Sequence, residues 1–265
     1  MATTPESTPR LDFEYVDAHC HVDLFPSPAE LVAEANAERV FTIAVTNAPF
    51  VFDHTRSLAR GSALVHPALG LHPELVHSHG RQLATLCERL EEVRFVGEVG
   101  LDYSTSDHAL RAEQRRVFDA VLEACARVGG KVLTIHSRRA AGDVVAAIGR
   151  GSPGRVILHW FTGTVRELER AVAAGAYFSV NVAMFESKNG RSLISAMPRE
   201  RVVTESDGPF VRRAGEPASP RGMRAVVELL AREWRLPTGE AARVIRTNFE
   251  SCAGPLELQP EKRHE

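Results

Sequence analysis

Lys131-Val132-Leu133-Thr134-Ile135-His136 is a short, almost continuous apolar run that follows Gly129-Gly130 directly and stops on a histidine. Ahead of the glycines, Leu110, Gln114, Val117, Phe118, Val121, Leu122, Cys125 and Val128 trace one stripe at helical spacing. The glycines end that helix. A continuous run rich in Val, Ile and Leu, rather than an alternating one, is the pattern of a parallel strand buried on both faces. Similar runs at residues 16–22, 40–46, 64–70, 94–99, 131–136, 155–159, 176–182 and 201–204 predict eight strands. Between them, Leu83, Leu86, Cys87 and Leu90 mark one further helix, and Val165, Leu168 and Val172 mark another that stops near Gly175. Two helical patterns, 226–234 and about 238–250, follow the last strand. The chain has 265 residues and a barrel of this kind needs about 250. The expectation is an α/β fold, a single-domain (β/α)8 TIM barrel over residues 15–255, with flexible tails at 1–14 and 256–265.

Composition narrows the function classes. A 44% hydrophobic, 25% charged chain is ordinary for a soluble globular protein. The net charge of −2 provides no overall field toward nucleic acid or membrane, so an anionic substrate needs a local basic patch or a metal. Cys20, Cys87, Cys125 and Cys252 are scattered without a C-x-x-C pair, which predicts reduced thiols and a cytoplasmic setting. The Thr/Pro/Glu-rich start has no apolar signal-peptide core, and no stretch has the length of a membrane span.

The chemistry concentrates where the strands end. In Asp17-Ala18-His19-Cys20-His21, strand alternation sends His19 and His21 to one face and Cys20 to the other, so two imidazoles can reach one divalent cation. His72 follows the third strand, Glu98 ends the fourth, His136 the fifth and His159 the sixth, while Asp207 follows the eighth. In a barrel these positions meet at the C-terminal mouth. Polar residues also end strands simply because the chain is surfacing. That explains one or two positions, not a series of His, Asp and Glu.

Six ordered segments carry a family resemblance: Asp17–His21, Gly70-Leu71-His72-Pro73, Gly97-Glu98-Val99-Gly100-Leu101-Asp102, Ile135-His136-Ser137-Arg138, His159-Trp160-Phe161-Thr162-Gly163 and Thr204-Glu205-Ser206-Asp207-Gly208-Pro209. From about Asp17 to Asn248 the chain resembles the TatD family, metal-dependent deoxyribonucleases on an amidohydrolase-type TIM barrel. A narrower resemblance, to the TatD-like protein of Qat anti-phage defence systems, rests on His136–Ala141, Leu158–Phe161, Ser179–Met184 and Lys188–Gly190.

The resemblance implies two divalent metal ions (Zn, Mg or Mn), one on His19, His21 and Asp207, the other on His136 and His159, with Glu98 bridging. Such a pair holds the attacking and leaving oxygens of a phosphodiester and activates water. Asp207 would take the proton from that water, Glu205 would assist in positioning or proton transfer, and His72 would contact the scissile phosphate. Arg138 has a guanidinium fork suited to the same phosphate, or forms a surface salt bridge at a helix start. The implied substrate is DNA, and a buried metal mouth suits single strands or frayed ends better than an intact duplex. The implied partners are other proteins of a Qat system, with no membrane.

Two segments depart from the family pattern. Tyr103 is followed by Ser104-Thr105-Ser106 rather than a second aromatic, and the loop around 182–191 lacks the usual glycines. His54, His77, His79, His108 and His264 match no motif and are expected in solvent, whereas His66 lies within a strand and is expected to pack. Lys188, Arg191, Arg212, Arg213 and Arg221 form either a basic rim for a nucleic-acid backbone or a solvated charged face. Two other functions remain open: an amidohydrolase acting on an acyl or base-derived adduct, and a binding scaffold in a multiprotein system.

Overall fold

The computed structural model describes residues 11–151 and 153–256. His264 and most of both expected tails lie outside the described residues. Eight parallel strands run in the order of the sequence: β1 Tyr15–Cys20, β2 Val40–Ala44, β3 Val65–Leu69, β4 Phe95–Gly100, β5 Val132–His136, β6 Arg155–His159, β7 Tyr177–Val180 and β8 Val202–Thr204. Each ladder joins a strand to its sequence neighbour, from Tyr15 opposite Val40 to Val180 opposite Thr204. The ring is drawn closed by side chains and the turn after β8. Thr204 donates its hydroxyl to the Val16 carbonyl, the Ser206 N–H donates to Asp17 Oδ1 at 2.8 Å, and the Asp207 N–H donates to the His19 carbonyl at 2.8 Å. This is the (β/α)8 barrel.

The connecting helices are α1 Pro28–Ala37, α2 Phe52–Leu58, α3 Val76–His79, α4 Leu83–Glu88, α5 His108–Val128, α6 Ala141–Ile148, α7 Val165–Ala173, α8 Val182–Glu186, α9 Lys188–Ala196, α10 Met223–Trp234 and α11 Thr238–Ala253. Helix α5 shows how the sequence sets its bounds. Asp107 accepts the N–H groups of Ala109 and Leu110 at its start, and Gly129, at φ 74°, ends it. Val117, Phe118, Val121, Leu122 and Cys125 are buried against the barrel. Gln114, the one polar member of that stripe, accepts the Asp102 N–H at 2.9 Å and ties the helix to the end of β4.

The main core joins the strand faces to the helices, and a second cluster gathers Cys20, Val22, Leu31, Val32, Ala35, Ala44, Ala59 and Val65 beneath α1 and α2. Cys20 therefore faces away from its flanking histidines, as strand alternation requires. His66 stacks on Phe41 with ring centroids 4.5 Å apart, and burial lowers its pKa to about 4, so it is a neutral packing residue. Gly70 is where backbone must approach backbone. A Cβ there would lie 2.1 Å from the Thr46 carbonyl oxygen and 2.3 Å from the Glu98 nitrogen.

The structure corrects the loop expected around residues 182–191. They form helix α8 followed by the start of α9, each capped by a side chain: Asn181 accepts the Met184 N–H and Ser187 the Gly190 N–H. Among the described residues no helix is long and apolar enough to cross a membrane.

Candidate metal centre

Every candidate ligand reaches one buried spot at the C-terminal mouth, centred on Glu98. Its Oε1 lies 2.6 Å from His136 Nδ1, 3.0 Å from His159 Nε2 and 3.4 Å from His72 Nε2. Its Oε2 lies 3.2 Å from His21 Nε2 and 3.4 Å from His19 Nε2. Asp207 Oδ1 sits opposite, 3.7 Å from His21 Nε2 and 3.8 Å from His19 Nε2. Glu98 joins two groups able to hold a cation, one with His19 and His21, the other with His72 and His136; a third combines His19, His159 and Asp207.

The far side of each ring explains which nitrogen is offered. His19 Nδ1 is 2.7 Å from Thr134 Oγ1, His136 Nε2 is 2.8 Å from Asp102 Oδ2, and His159 Nδ1 is 3.6 Å from Glu205 Oε2. At His19 and His136 a proton held on that far nitrogen leaves the near one with a bare lone pair for metal, whereas His159 Nδ1 stands at ion-pair distance from Glu205 without a hydrogen bond. His72 is the reverse case. Its Nδ1 accepts the Glu74 N–H at 3.2 Å, which puts the ring proton on Nε2, facing Glu98. His72 is thus turned to donate from Nε2 at the mouth rather than to offer a lone pair there.

The donor set fits a cation. His19 Nε2 and both His21 ring nitrogens are buried without a hydrogen-bond partner, an unfavourable state for polar atoms unless they coordinate. Burial alone would raise the Glu98 pKa, but the surrounding histidines, His72 and His159 foremost, hold it well below the usual carboxylate range. Burial, with His159 adding, holds His19 well below the usual histidine value. Burial pushes Asp207 up, and the Glu205 and Glu98 carboxylates reinforce this against the opposing pull of His159. The site gathers two carboxylates and the imidazoles of His19, His21, His136 and His159 in one buried place, a donor set suited to divalent metal.

Glu205 is fully buried behind His159. It accepts the Trp160 N–H at 3.1 Å and the Asn181 amide at 2.8 Å on one oxygen, and the Ser179 hydroxyl on the other. Its oxygens are engaged by these three donors, and it stands behind His159 at 3.6 Å as a buried counter-charge rather than reaching substrate. Arg138 is exposed, and among the described residues its guanidinium has no partner, so the surface salt bridge is not formed. His54, His77 and His108 are exposed, but half-buried His79 stacks on Phe50 at 5.3 Å. Among the basic-rim candidates, Arg191 is bound to the Phe185 carbonyl and Arg212 to the Gly215 carbonyl, while Lys188, Arg213 and Arg221 are exposed.

Sequence reasoning assigned no role to Asp17, Asp102, Thr134, Ser179 and Asn181. Asp102 is buried, yet its bonds to His136 and the Ser104 N–H hold its pKa below the usual range despite that burial. Asp17, raised to about 7 by burial, clamps β1 to the turn after β8 through the N–H groups of Ser206 and His19. Both stood inside the ordered motifs, and that was the available signal. Thr134 carried none, being a hydroxyl within an apolar run.

A family profile described as TatD related DNase matches residues 16–254. The chain belongs to the TatD family. It is 27% identical over 251 residues to the uncharacterized metal-dependent hydrolase YjjV of Escherichia coli K12, covering 88% of this chain and 95% of that one. The crystal structure of YjjV superposes with a TM-score of 0.79 at 26% identity, over 93% of this chain and 99% of that one. The 3'-5' ssDNA/RNA exonuclease TatD of Edwardsiella piscicida is 30% identical over 164 residues, 58% of this chain and 62% of its own. As a TatD-family protein the chain is a hydrolase with a candidate metal centre in the His19–Asp207 cluster.

Proposed function

We propose that this TatD-family protein hydrolyses phosphodiester bonds in DNA, at single-stranded or frayed ends, with His19, His21, Glu98, His136, His159 and Asp207 as the residues that would hold two divalent cations. The observation that carries this reading is the convergence of His19, His21, His136, His159 and Asp207 on the two oxygens of one buried carboxylate. Relatives named as DNases and as an ssDNA/RNA exonuclease support the substrate class. Cations held there supply Lewis-acid stabilisation of the phosphoryl oxygens and activation of water. Around them the chain's own groups have separable tasks. Asp207, near His19 and His21, accepts the proton of the attacking water. His72 Nε2–H donates to a phosphate oxygen, and Arg138 offers an unpaired guanidinium at the rim. Thr134 and Asp102 hold the His19 and His136 rings in register, and Glu205 stands as a counter-charge behind His159.

The test is cleavage of labelled single-stranded DNA, duplex DNA and RNA with zinc, magnesium or manganese in turn, beside a Glu98→Ala control and an amide substrate panel. Metal-dependent cleavage of single strands supports the reading. Turnover confined to amides moves the chain to the amidohydrolase alternative. We extend the proposal to context, on the narrower resemblance and the four free cysteines suited to a reducing cytoplasm: the protein works with other Qat proteins against phage. Asp207→Ala in the complete system should abolish protection. Full protection by that variant, at normal levels, would favour the scaffold role instead.

A further inference from the structure

Phe210 is the exposed aromatic that adjoins the metal centre. It is 59% exposed, and its ring stands edge-to-face with His21, centroids 4.9 Å apart at 87°. The Asp207 carbonyl accepts the N–H groups of Phe210 and Val211 at 3.0 Å each, so the ring is fixed relative to a candidate ligand. Gly208 leaves no room for a side chain, since a Cβ there would lie 1.9 Å from the Ala218 carbonyl oxygen. An apolar ring left in water costs free energy that burial elsewhere would recover, and here the backbone holds it out.

The same excursion, residues 208–222, carries the cations that a nucleotide would need. Arg213 and Arg221 are exposed, and among the described residues their guanidiniums make no hydrogen bond or ion pair. With Ser206, Ser219 and Glu205 they line a cavity of about 210 Å³. A flat apolar face and two unpaired guanidiniums on one segment match the parts of a single-stranded nucleotide: a base that stacks and phosphates that attract cations.

We propose that Phe210 is the stacking plate for the base of the nucleotide whose phosphate enters the mouth, with Arg213 and Arg221 of the same excursion as cations for the adjoining backbone. This rests on the nuclease reading above and adds how the strand is gripped. The plate recognises a π-face rather than a base edge, so it tolerates every base. It discriminates strand ends from duplex because a paired terminal base is already stacked.

The first measurement needs no turnover. A single-stranded oligonucleotide with 2-aminopurine at one terminus is titrated into the full-length protein and into Phe210→Ala and Phe210→Trp. Quenching with wild type, its loss in the Ala variant with roughly tenfold weaker binding, and its return in the Trp variant are expected. The second compares KM and kcat for an intact oligonucleotide and one abasic at the terminal nucleotide. Wild type should prefer the intact strand roughly tenfold, mainly through KM, and Phe210→Ala should lose that preference. Equal quenching by wild type and Phe210→Ala, or a preference preserved in the Ala variant, overturns the stacking role. Quenching without cleavage by the metal-loaded protein keeps the plate and refutes the nuclease; cleavage without an intact-strand preference does the opposite. Thermal unfolding of the variants excludes loss of fold, since an exposed ring contributes little to the core.

Discussion

Removing Glu98 should do more damage than removing any one histidine, and the geometry says by how much. Its two oxygens lie within 3.4 Å of five imidazole nitrogens, so Glu98→Ala leaves that group of rings without its buried counter-charge. Deleting one partner of a buried charge set costs about 3–5 kcal/mol, and the lower end applies here because histidines can discharge by losing protons. For a domain of this size, roughly 2–4 °C per kcal/mol puts the Tm of the metal-free variant about 6–12 °C below wild type. Metal then separates the two proteins further. A cation at a hundred times its Kd stabilises the wild type by about 2.7 kcal/mol, or roughly 5–10 °C. The variant should gain little at the same concentration, because the His19–His21 side and the His136–His159 side lose their common carboxylate. Differential scanning fluorimetry with and without zinc, magnesium or manganese reads both effects, and activity on the preferred substrate should fall at least roughly a hundredfold. His19→Ala, which leaves the His136–His159 side intact, should lose less. A Glu98→Ala protein with the wild-type metal-induced shift, or with near-wild-type turnover, would refute the bridging arrangement.

Asp102→Asn keeps the shape but removes the charge on His136 Nε2–H, so metal affinity should weaken roughly 10–100-fold by equilibrium dialysis; unchanged affinity would show that the bond is incidental. Cys20→Ser or Cys20→Ala should retain metal stoichiometry by elemental analysis, because Cys20 packs beneath α1 and α2; loss of one equivalent without unfolding would mean that the strand alternation is wrong. His66 titrates near 4 in the fold and near 6.5 in the unfolded chain, so the unfolded state binds the extra proton between those values. Its contribution is present above about pH 6.5 and is lost as pH falls toward 4, by about 3 kcal/mol at most. Urea unfolding of His66→Phe at several pH values should show a flatter acid limb than wild type; identical slopes would remove His66 as a source.

The barrel was legible because its strands are buried on both faces, which writes them as continuous Val, Ile and Leu runs, and because their order in the sheet equals their order in the chain. The first rank of ligands was legible for a related reason. His, Asp and Glu have no packing reason to end a buried strand, so each stands out against its apolar run. The second rank lacks that contrast. Thr134 sits inside β5 and Ser179 inside β7, where a small hydroxyl reads as ordinary strand residue, yet one fixes the His19 ring and the other holds Glu205 against His159. Glu205 was legible as part of the site but not in its placement, since sequence spacing from Asp207 says nothing of depth. Residues 182–191 escaped because two short helices capped by Asn181 and Ser187 carry too few turns to show a helical stripe. Contacts among side chains on different strands depend on register and radial depth in the barrel, and neither leaves a period in the sequence. This is also why Phe210 gained meaning only in three dimensions: along the chain it is a hydrophobic residue after Gly208-Pro209, and only the turn that returns the chain to β1 sets its ring against His21.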